Sequence, residues 1–151
     1  MIQISKCSYG DIDTILEIEK RSFKFPYSKQ TFWYYIAAHN AGFLVARDES
    51  KITGYIISSY EDTKATIVSI AVDQRYRRKG IGSMLLKATL QQFPATINEI
   101  ELQVSVNNQE AISFYLAHGF TKRHPLRRYY PDGLDAIVMS LEKQAVRKIQ
   151  G

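Results

Sequence analysis

The chain has 151 residues and a formal net charge of +5, and this length corresponds to one domain that can fold without disulfides or metals. The single cysteine, Cys7, excludes an internal disulfide and favours a reducing compartment, so we expect a cytoplasmic protein. The excess of positive charge indicates an anionic partner, and nucleic acid, an acidic peptide and a phosphorylated cofactor all fit.

The hydrophobic pattern of the first half predicts two helices and four strands. Residues 2–6 alternate as a strand does, and Asp11 is placed to cap a helix that runs to about Arg21. The break at residues 25–28 ends in Ser28, which can cap a second helix. Three consecutive strands are predicted next, over residues 43–47, 52–60 and 65–72.

The second half alternates between helices and strands. Its predicted elements are a helix over 80–93, a strand over 97–106, a helix over 109–118 and strands over 120–124 and 135–141. The full order, β-α-α-β-β-β-α-β-α-β-β, predicts an α/β fold with a mixed sheet and helices on both faces. No apolar run is long enough to span a membrane, and residues 143–151 are expected to be a loosely ordered basic tail after a single domain over 1–142.

A strand, a basic loop and a helix follow one another over residues 70–83. Gly80 and Gly82 stand at the predicted helix start, where unpaired amides and the positive end of the helix dipole attract anions. Three cations come directly before these glycines: Arg77, Arg78 and Lys79. The pattern favours a pyrophosphate site, and the alternative is a solvated basic surface or a nucleic-acid patch.

Two common phosphate loops do not match this segment. The spacing of Gly80 and Gly82 is wrong for the Walker pattern, and no Lys-Ser/Thr pair follows. The dinucleotide fingerprint requires a third glycine, and Leu85 occupies that position.

Two motifs in this order resemble those of the GCN5-related N-acetyltransferase superfamily. Arg77-x-x-Gly80-x-Gly82 resembles its motif A, and Asn108, Ala111, Phe114-Tyr115 and Gly119-Phe120 resemble its motif B. The resemblance extends from about residue 2 to residue 141. It implies a mostly antiparallel seven-stranded sheet, splayed between its fourth and fifth strands.

Two further segments resemble the protein N-terminal acetyltransferases of the ribosomal-protein-alanine type. Phe25-Pro26-Tyr27-Ser28 is similar to their substrate loop, and Tyr129-Tyr130 is similar to a tyrosine pair in their last hairpin. The resemblance implies that Phe25, Pro26, Tyr27, Tyr129 and Tyr130 bind a peptide. Tyrosine hydroxyls can bond peptide carbonyls while the rings cover the chain.

The same resemblance implies acetyl-CoA as the cofactor and assigns roles to individual residues. Twelve residues would bind the cofactor: Ile70, Ala71, Val72, Arg77, Arg78, Lys79, Gly80, Ile81, Gly82, Ser83, Asn108 and Tyr115. The backbone N–H of Val72 would stabilise the oxyanion, and Tyr115 would act as general acid.

The position of the family's general base departs from the pattern. A glutamate is expected twelve residues before Tyr115, and this chain has Gln103 there. A neutral amide cannot take a proton, so Gln103 could act only through a held water. Glu101 lies two residues before Gln103, on the same face of the predicted strand. We expect it to be an ordinary exposed residue rather than the base.

These observations favour an acetyl-CoA-dependent acetyltransferase that acts on protein or peptide N-termini, as a monomer or weak homodimer. The alternatives are a lysine ε-amine or dual-specificity acetyltransferase, a CoA-binding sensor and a basic nucleic-acid-binding module. Nucleic acid is disfavoured because no zinc-finger or basic-zipper pattern is present. No membrane association and no metal site are expected.

Overall fold

The computed structural model describes residues 1–142, so the predicted tail over 143–151 lies outside the described residues. The chain divides into two compact units. The first consists of residues 1–59 and 68–92, and the second of residues 60–67 together with the chain from 93 onward.

The first unit contains three helices and the strands before and between them. Its elements are β1 (Ile2–Lys6), α1 (Ile12–Ser22), α2 (Lys29–Ala38), β2 (Phe43–Asp48), most of β3 (Lys51–Glu61), the end of β4 (Lys64–Val72) and α3 (Ile81–Gln92). Short 3-10 turns add Tyr9–Asp11, Asn40–Gly42 and Gln74–Tyr76. These bounds lie within two residues of the predicted helices and strands.

An aromatic cluster forms the centre of this unit. The rings of Phe32 and Phe43, and those of Phe32 and Tyr55, each have centroids 6.0 Å apart in edge-on geometry. Such edge-on pairs add to the stabilisation from apolar burial. The apolar residues of α1 pack into the same cluster: Ile12, Ile15, Leu16 and Ile18.

The residue predicted to cap α1 has a different role. Asp11 precedes the helix, but its side chain accepts hydrogen bonds from the backbone and hydroxyl of Ser8, at 2.9 and 3.0 Å. It also pairs with Arg47 at 2.6 Å. Asp11 therefore fixes the segment before α1, whereas Ser28 caps α2 as predicted by accepting from the Thr31 amide at 3.2 Å.

In its described part, up to residue 142, the second unit contains the last strands and one helix. Its elements are the start of β4, β5 (Glu99–Ser105), α4 (Gln109–Ala117), β6 (Thr121–Leu126) and β7 (Ala136–Glu142). Asn108 caps α4, and Gly119 follows it with a positive φ of 91°, as the C-terminal glycine of a helix commonly does.

The seven strands follow the order β1-β2-β3-β4-β5-β7-β6. The pairs β1–β2, β2–β3, β5–β7 and β6–β7 are antiparallel, and β4–β5 is parallel. The parallel register covers Lys64–Thr66 and Glu99–Glu101, although both strands continue beyond it. The predicted mixed α/β fold is confirmed. None of the helices in residues 1–142 has the length and apolar composition needed to cross a bilayer.

Candidate functional site

The glycine loop, residues 73–80, connects β4 to α3 in the first unit. Asp73 fixes its start, because its carboxylate accepts from the Arg75 backbone amide at 3.0 Å and from the Arg75 guanidinium at 2.9 Å. The hydrogen bond from Arg75 holds the pKa of Asp73 below its ordinary value. The loop then turns through two residues with positive φ, Arg78 at 64° and Gly80 at 76°.

The start of α3 offers backbone donors to a ligand. The first helical bond runs from the Met84 amide to the Gly80 carbonyl at 3.0 Å. The amides of Ile81 and Gly82 precede it, and therefore have no partner within the helix. A Cβ placed on Gly80 would meet no atom within 4 Å, so the approach to this backbone is open. These residues fit a pyrophosphate group.

The Val72 amide lies at the end of β4. The next amide, that of Asp73, donates to the Thr53 carbonyl of β3 at 2.7 Å. Successive amides of a strand point to opposite edges, so the Val72 N–H points away from β3. Gly54 makes this strand pairing possible, because a Cβ there would lie 2.9 Å from the Ala71 carbonyl oxygen.

The substrate loop, residues 25–28, joins α1 to α2. The side chains of Phe25 and Tyr27 are 40% and 44% exposed, although both are large and apolar in part. The Tyr27 amide donates to the Glu19 carboxylate of α1 at 2.9 Å. The helical pattern of the sequence includes Glu19 but assigns it no role. A glutamate at a core-facing position was the available signal.

Tyr115 lies on α4 of the second unit and is only 6% exposed. Its ring packs against Phe114 and Phe120, with centroids 5.4 and 5.5 Å away. Burial raises the pKa of Tyr115 above its ordinary value, since the phenolate would be poorly solvated. The hydroxyl therefore stays protonated at neutral pH and can serve as a proton donor.

Glu101, the carboxylate two residues before Gln103 on β5, is already engaged by a neighbour. Gln103 itself is exposed on β5. Glu101 accepts a hydrogen bond from the Lys64 ammonium at 2.8 Å, and this bond raises the pKa of Lys64. His118, on α4, is held by its ring nitrogen at 2.7 Å from the Phe114 carbonyl. We therefore assign neither Glu101 nor His118 as the base.

Asn108 and the hairpin loop, residues 127–135, complete the predicted positions in the second unit. The Asn108 side-chain oxygen caps α4 by accepting from the Ala111 amide at 3.1 Å, which leaves its NH2 group to donate elsewhere. In the hairpin loop the Tyr129 and Tyr130 rings meet edge-on at 5.0 Å, and Tyr129 is 48% exposed.

Among the described residues, neither the single thiol nor the possible metal ligands form a further site. Burial raises the pKa of the Cys7 thiol to about 12, so Cys7 is a protonated core residue rather than a nucleophile. Within residues 1–142, no group of three His, Cys, Asp or Glu side chains could hold a metal ion.

The family follows from comparison with known proteins. A family model described as the Acetyltransferase (GNAT) family matches residues 12–120, and the chain belongs to this family. Acetyltransferases of this family use acetyl-CoA, which confirms the cofactor predicted from the sequence.

The chain is similar to several N-acetyltransferases over almost its whole length. It is 34% identical to an N-alpha-acetyltransferase of Sulfurisphaera tokodaii, covering 91% of each chain. It is 30% identical to the [ribosomal protein bS18]-alanine N-acetyltransferase of Salmonella typhimurium, covering 93% of this chain and 97% of that protein. The structure of Ard1 from Thermoplasma volcanium superposes with a TM-score of 0.89 at 31% identity, over 93% and 97% of the two chains. The resemblance stated from the two motifs is therefore confirmed.

Proposed function

We propose that this protein is a protein N-terminal acetyltransferase that transfers the acetyl group of acetyl-CoA to the α-amine of a peptide or protein. The names of the Sulfurisphaera and Salmonella relatives support this reaction. We also propose that residues 1–142 act as one N-acetyltransferase domain, since the family model over 12–120 includes parts of both units.

The observation that carries the choice of an α-amine is the absence of a carboxylate at position 103 of β5. Gln103 occupies that position, and Glu101 is bound to Lys64. An α-amine with a pKa of about 8 is about one-tenth neutral at pH 7, whereas a lysine at about 10.4 is neutral about once in 2,500 molecules. An α-amine therefore needs only a weak base, and a water held by Gln103 can supply it.

The first unit holds the cofactor through its glycine loop and the start of α3. The backbone amides of residues 78–83 and the cations of the glycine loop bind the pyrophosphate. The end of β4, residues 70–72, bonds the pantetheine arm, as an added strand would. We assign Asn108 and the Tyr115 ring to cofactor binding as well.

Three groups of the chain act in the transfer, for which acetyl-CoA supplies the acetyl group as a thioester. The Val72 N–H stabilises negative charge that develops on the carbonyl oxygen. The Tyr115 hydroxyl, which is protonated at neutral pH like that of any tyrosine, donates its proton to the departing sulfur. Gln103 orients the water that receives the proton of the amine.

Four aromatic side chains and one proline bind the peptide. Phe25, Pro26 and Tyr27 are the contribution of the substrate loop, and Tyr129 and Tyr130 are that of the hairpin loop. Ring faces and hydroxyls that stay exposed in the free protein can cover a peptide backbone and bond its carbonyls.

Acetylation of a peptide library tests the proposal. Peptides with varied first residues, each in a free and an N-terminally blocked form and each with an internal lysine, are incubated with acetyl-CoA and analysed by mass spectrometry. We expect a mass increase of one acetyl group at free α-amines and none on blocked peptides. Acetylation of blocked peptides would replace the proposal with lysine acetylation, and binding of CoA without turnover would indicate a sensor.

A further inference from the structure

The buried carboxylate of Glu19 links the core of the first unit to the substrate loop. We propose that Glu19 is a positioning residue for the peptide site, because it holds the main chain of Tyr27 and thereby fixes the loop that presents Phe25 and Tyr27. The inference rests on the proposed function, which assigns this loop to peptide binding.

One carboxylate oxygen is satisfied entirely by the core. Glu19 is 1% exposed, and its Oε1 accepts from the hydroxyls of Tyr55 on β3 and Ser69 on β4, the latter at 2.9 Å. Burial, and then the adjacent charge of Glu19, raise the pKa of Tyr55 well above its ordinary value, so its hydroxyl stays a donor. These bonds offset the cost of burying a carboxylate and fix its orientation.

The other oxygen serves the loop. Glu19 Oε2 accepts from the Tyr27 backbone amide at 2.9 Å, eight residues along the chain. The loop is anchored again one residue later, where Ser28 caps α2. Although the main chain is held at Tyr27 and Ser28, the large side chains of Phe25 and Tyr27 stay exposed.

The two carboxylate oxygens of Glu19 place different demands on a side chain that replaces it. A hydroxyl can donate or accept, so Tyr55 and Ser69 could bond an amide as well as a carboxylate. The Tyr27 N–H can only donate, and therefore requires an oxygen at this place. Glutamine keeps such an oxygen, whereas methionine has a similar shape and none.

Two substitutions and one backbone change test the role of Glu19. Glu19→Met is expected to raise the peptide KM about tenfold with an unchanged KM for acetyl-CoA, and Glu19→Gln is expected to restore most of the loss. Replacing Tyr27 by its α-hydroxy acid turns the amide into an ester, which deletes the N–H donor, keeps every side chain and weakens the Pro26 carbonyl as an acceptor. This ester variant is expected to reproduce the rise in peptide KM.

A matched control separates loop positioning from general loosening. Ser58 donates a buried hydrogen bond to the Gly42 carbonyl at 3.3 Å, and Ser58→Ala removes it without touching the loop. We expect a lower Tm and an unchanged peptide KM for this variant. Should the ester variant keep the wild-type peptide KM, the inference is wrong, and this holds even if Glu19→Met does not fold.

Failure of the inference can be distinguished from failure of the proposed function. Wild-type protein that acetylates no free α-amine refutes the function. Hydrogen exchange at the Tyr27 amide then still tests the contact, with slow exchange expected in the wild type and in Glu19→Gln and faster exchange in Glu19→Met. Equal, fast exchange in all three would refute it.

Discussion

The glycine loop and the hairpin loop share several sequence features, but they differ in the backbone amides that they offer to an anion. Each is rich in arginine, contains an aspartate that accepts a loop amide, and turns through one arginine and one glycine of positive φ. These residues are Arg78 at 64° and Gly80 at 76° in the first, and Arg128 at 51° and Gly133 at 84° in the second. On composition alone, both would be candidates for an anion site.

The difference lies in where the backbone amides point. The hairpin loop uses its donors internally, since Arg128 donates to the Asp135 carboxylate, Tyr130 to the Leu134 carbonyl and Gly133 to the Tyr130 carbonyl, at 2.9, 3.1 and 2.9 Å. The glycine loop instead leads into a helix whose first amides have no helical partner. This contrast is the reason why we propose the pyrophosphate site at the glycine loop and not at the hairpin loop.

The largest expected effect is on kcat, and it comes from a residue outside both loops. Tyr115→Phe removes the proposed acid and is expected to lower kcat by about 10²- to 10⁴-fold, with little change in the Kd of acetyl-CoA. Steady-state kinetics and calorimetric titration measure the two quantities. A variant with wild-type kcat would remove Tyr115 from the mechanism.

Matched glycine substitutions test the contrast between the loops directly. Gly80→Ala and Gly133→Ala each place a side chain at a positive φ with no atom within 4 Å, so both should lower the Tm by similar amounts. Only Gly80→Ala is expected to weaken acetyl-CoA binding, by about tenfold, because its backbone borders the pyrophosphate. Equal Kd values of acetyl-CoA for the two variants would contradict the proposed pyrophosphate site at the glycine loop.

Matched arginine substitutions test charge in the same two places. Arg78→Gly and Arg128→Gly both remove a cation and relieve a positive φ, so the Tm is expected to be maintained in each. Arg78→Gly should raise the Kd of acetyl-CoA about threefold at low salt, and less at high salt because exposed charges are screened. A weaker affinity in Arg128→Gly instead would place the phosphate contacts in the hairpin loop.

The smallest effect concerns the anchor of the glycine loop. Because Arg75 lowers the pKa of Asp73 from 3.8, ionised Asp73 stabilises the fold above that pH, and the contribution disappears as pH falls through the lowered folded-state value. Since Arg75 is exposed, Asp73→Asn is expected to lower the Tm by only about 2 °C. Thermal melts should show a constant difference from pH 5 to 8 that shrinks and then vanishes as the pH falls below 3.8 and through the lowered pKa of Asp73.

Features that depend on neighbouring residues could be predicted from the sequence. Ser28 and Asn108 cap helices through amides three residues further on, and Gly119 ends a helix through its own φ. The alternation of apolar residues placed strands such as β4 and β5, because one face of each packs against a core. The two motifs carried the family for the same reason, as each is a continuous segment.

Features that depend on distant residues could not be predicted. Asp11 accepts from Ser8 and pairs with Arg47, which is 36 positions away. The local sequence shows only that Asp11 precedes a helix, and it therefore predicted a helix cap. Glu19 meets Ser69 across 50 positions, and nothing in its helical spacing indicates that contact. A polar residue at a core-facing position shows only that a partner is needed, and the fold decides which.

The edge strand β6 has a consequence for the behaviour of many copies together. It stands last in the sheet, nearly every residue is exposed, and its register is interrupted between Lys122 and His124. Pro125 has no amide to donate, and Lys122 and Arg123 bring like charges to the same edge. Such a border disfavours the addition of a foreign strand, so it opposes edge-to-edge association of copies of this chain through β6.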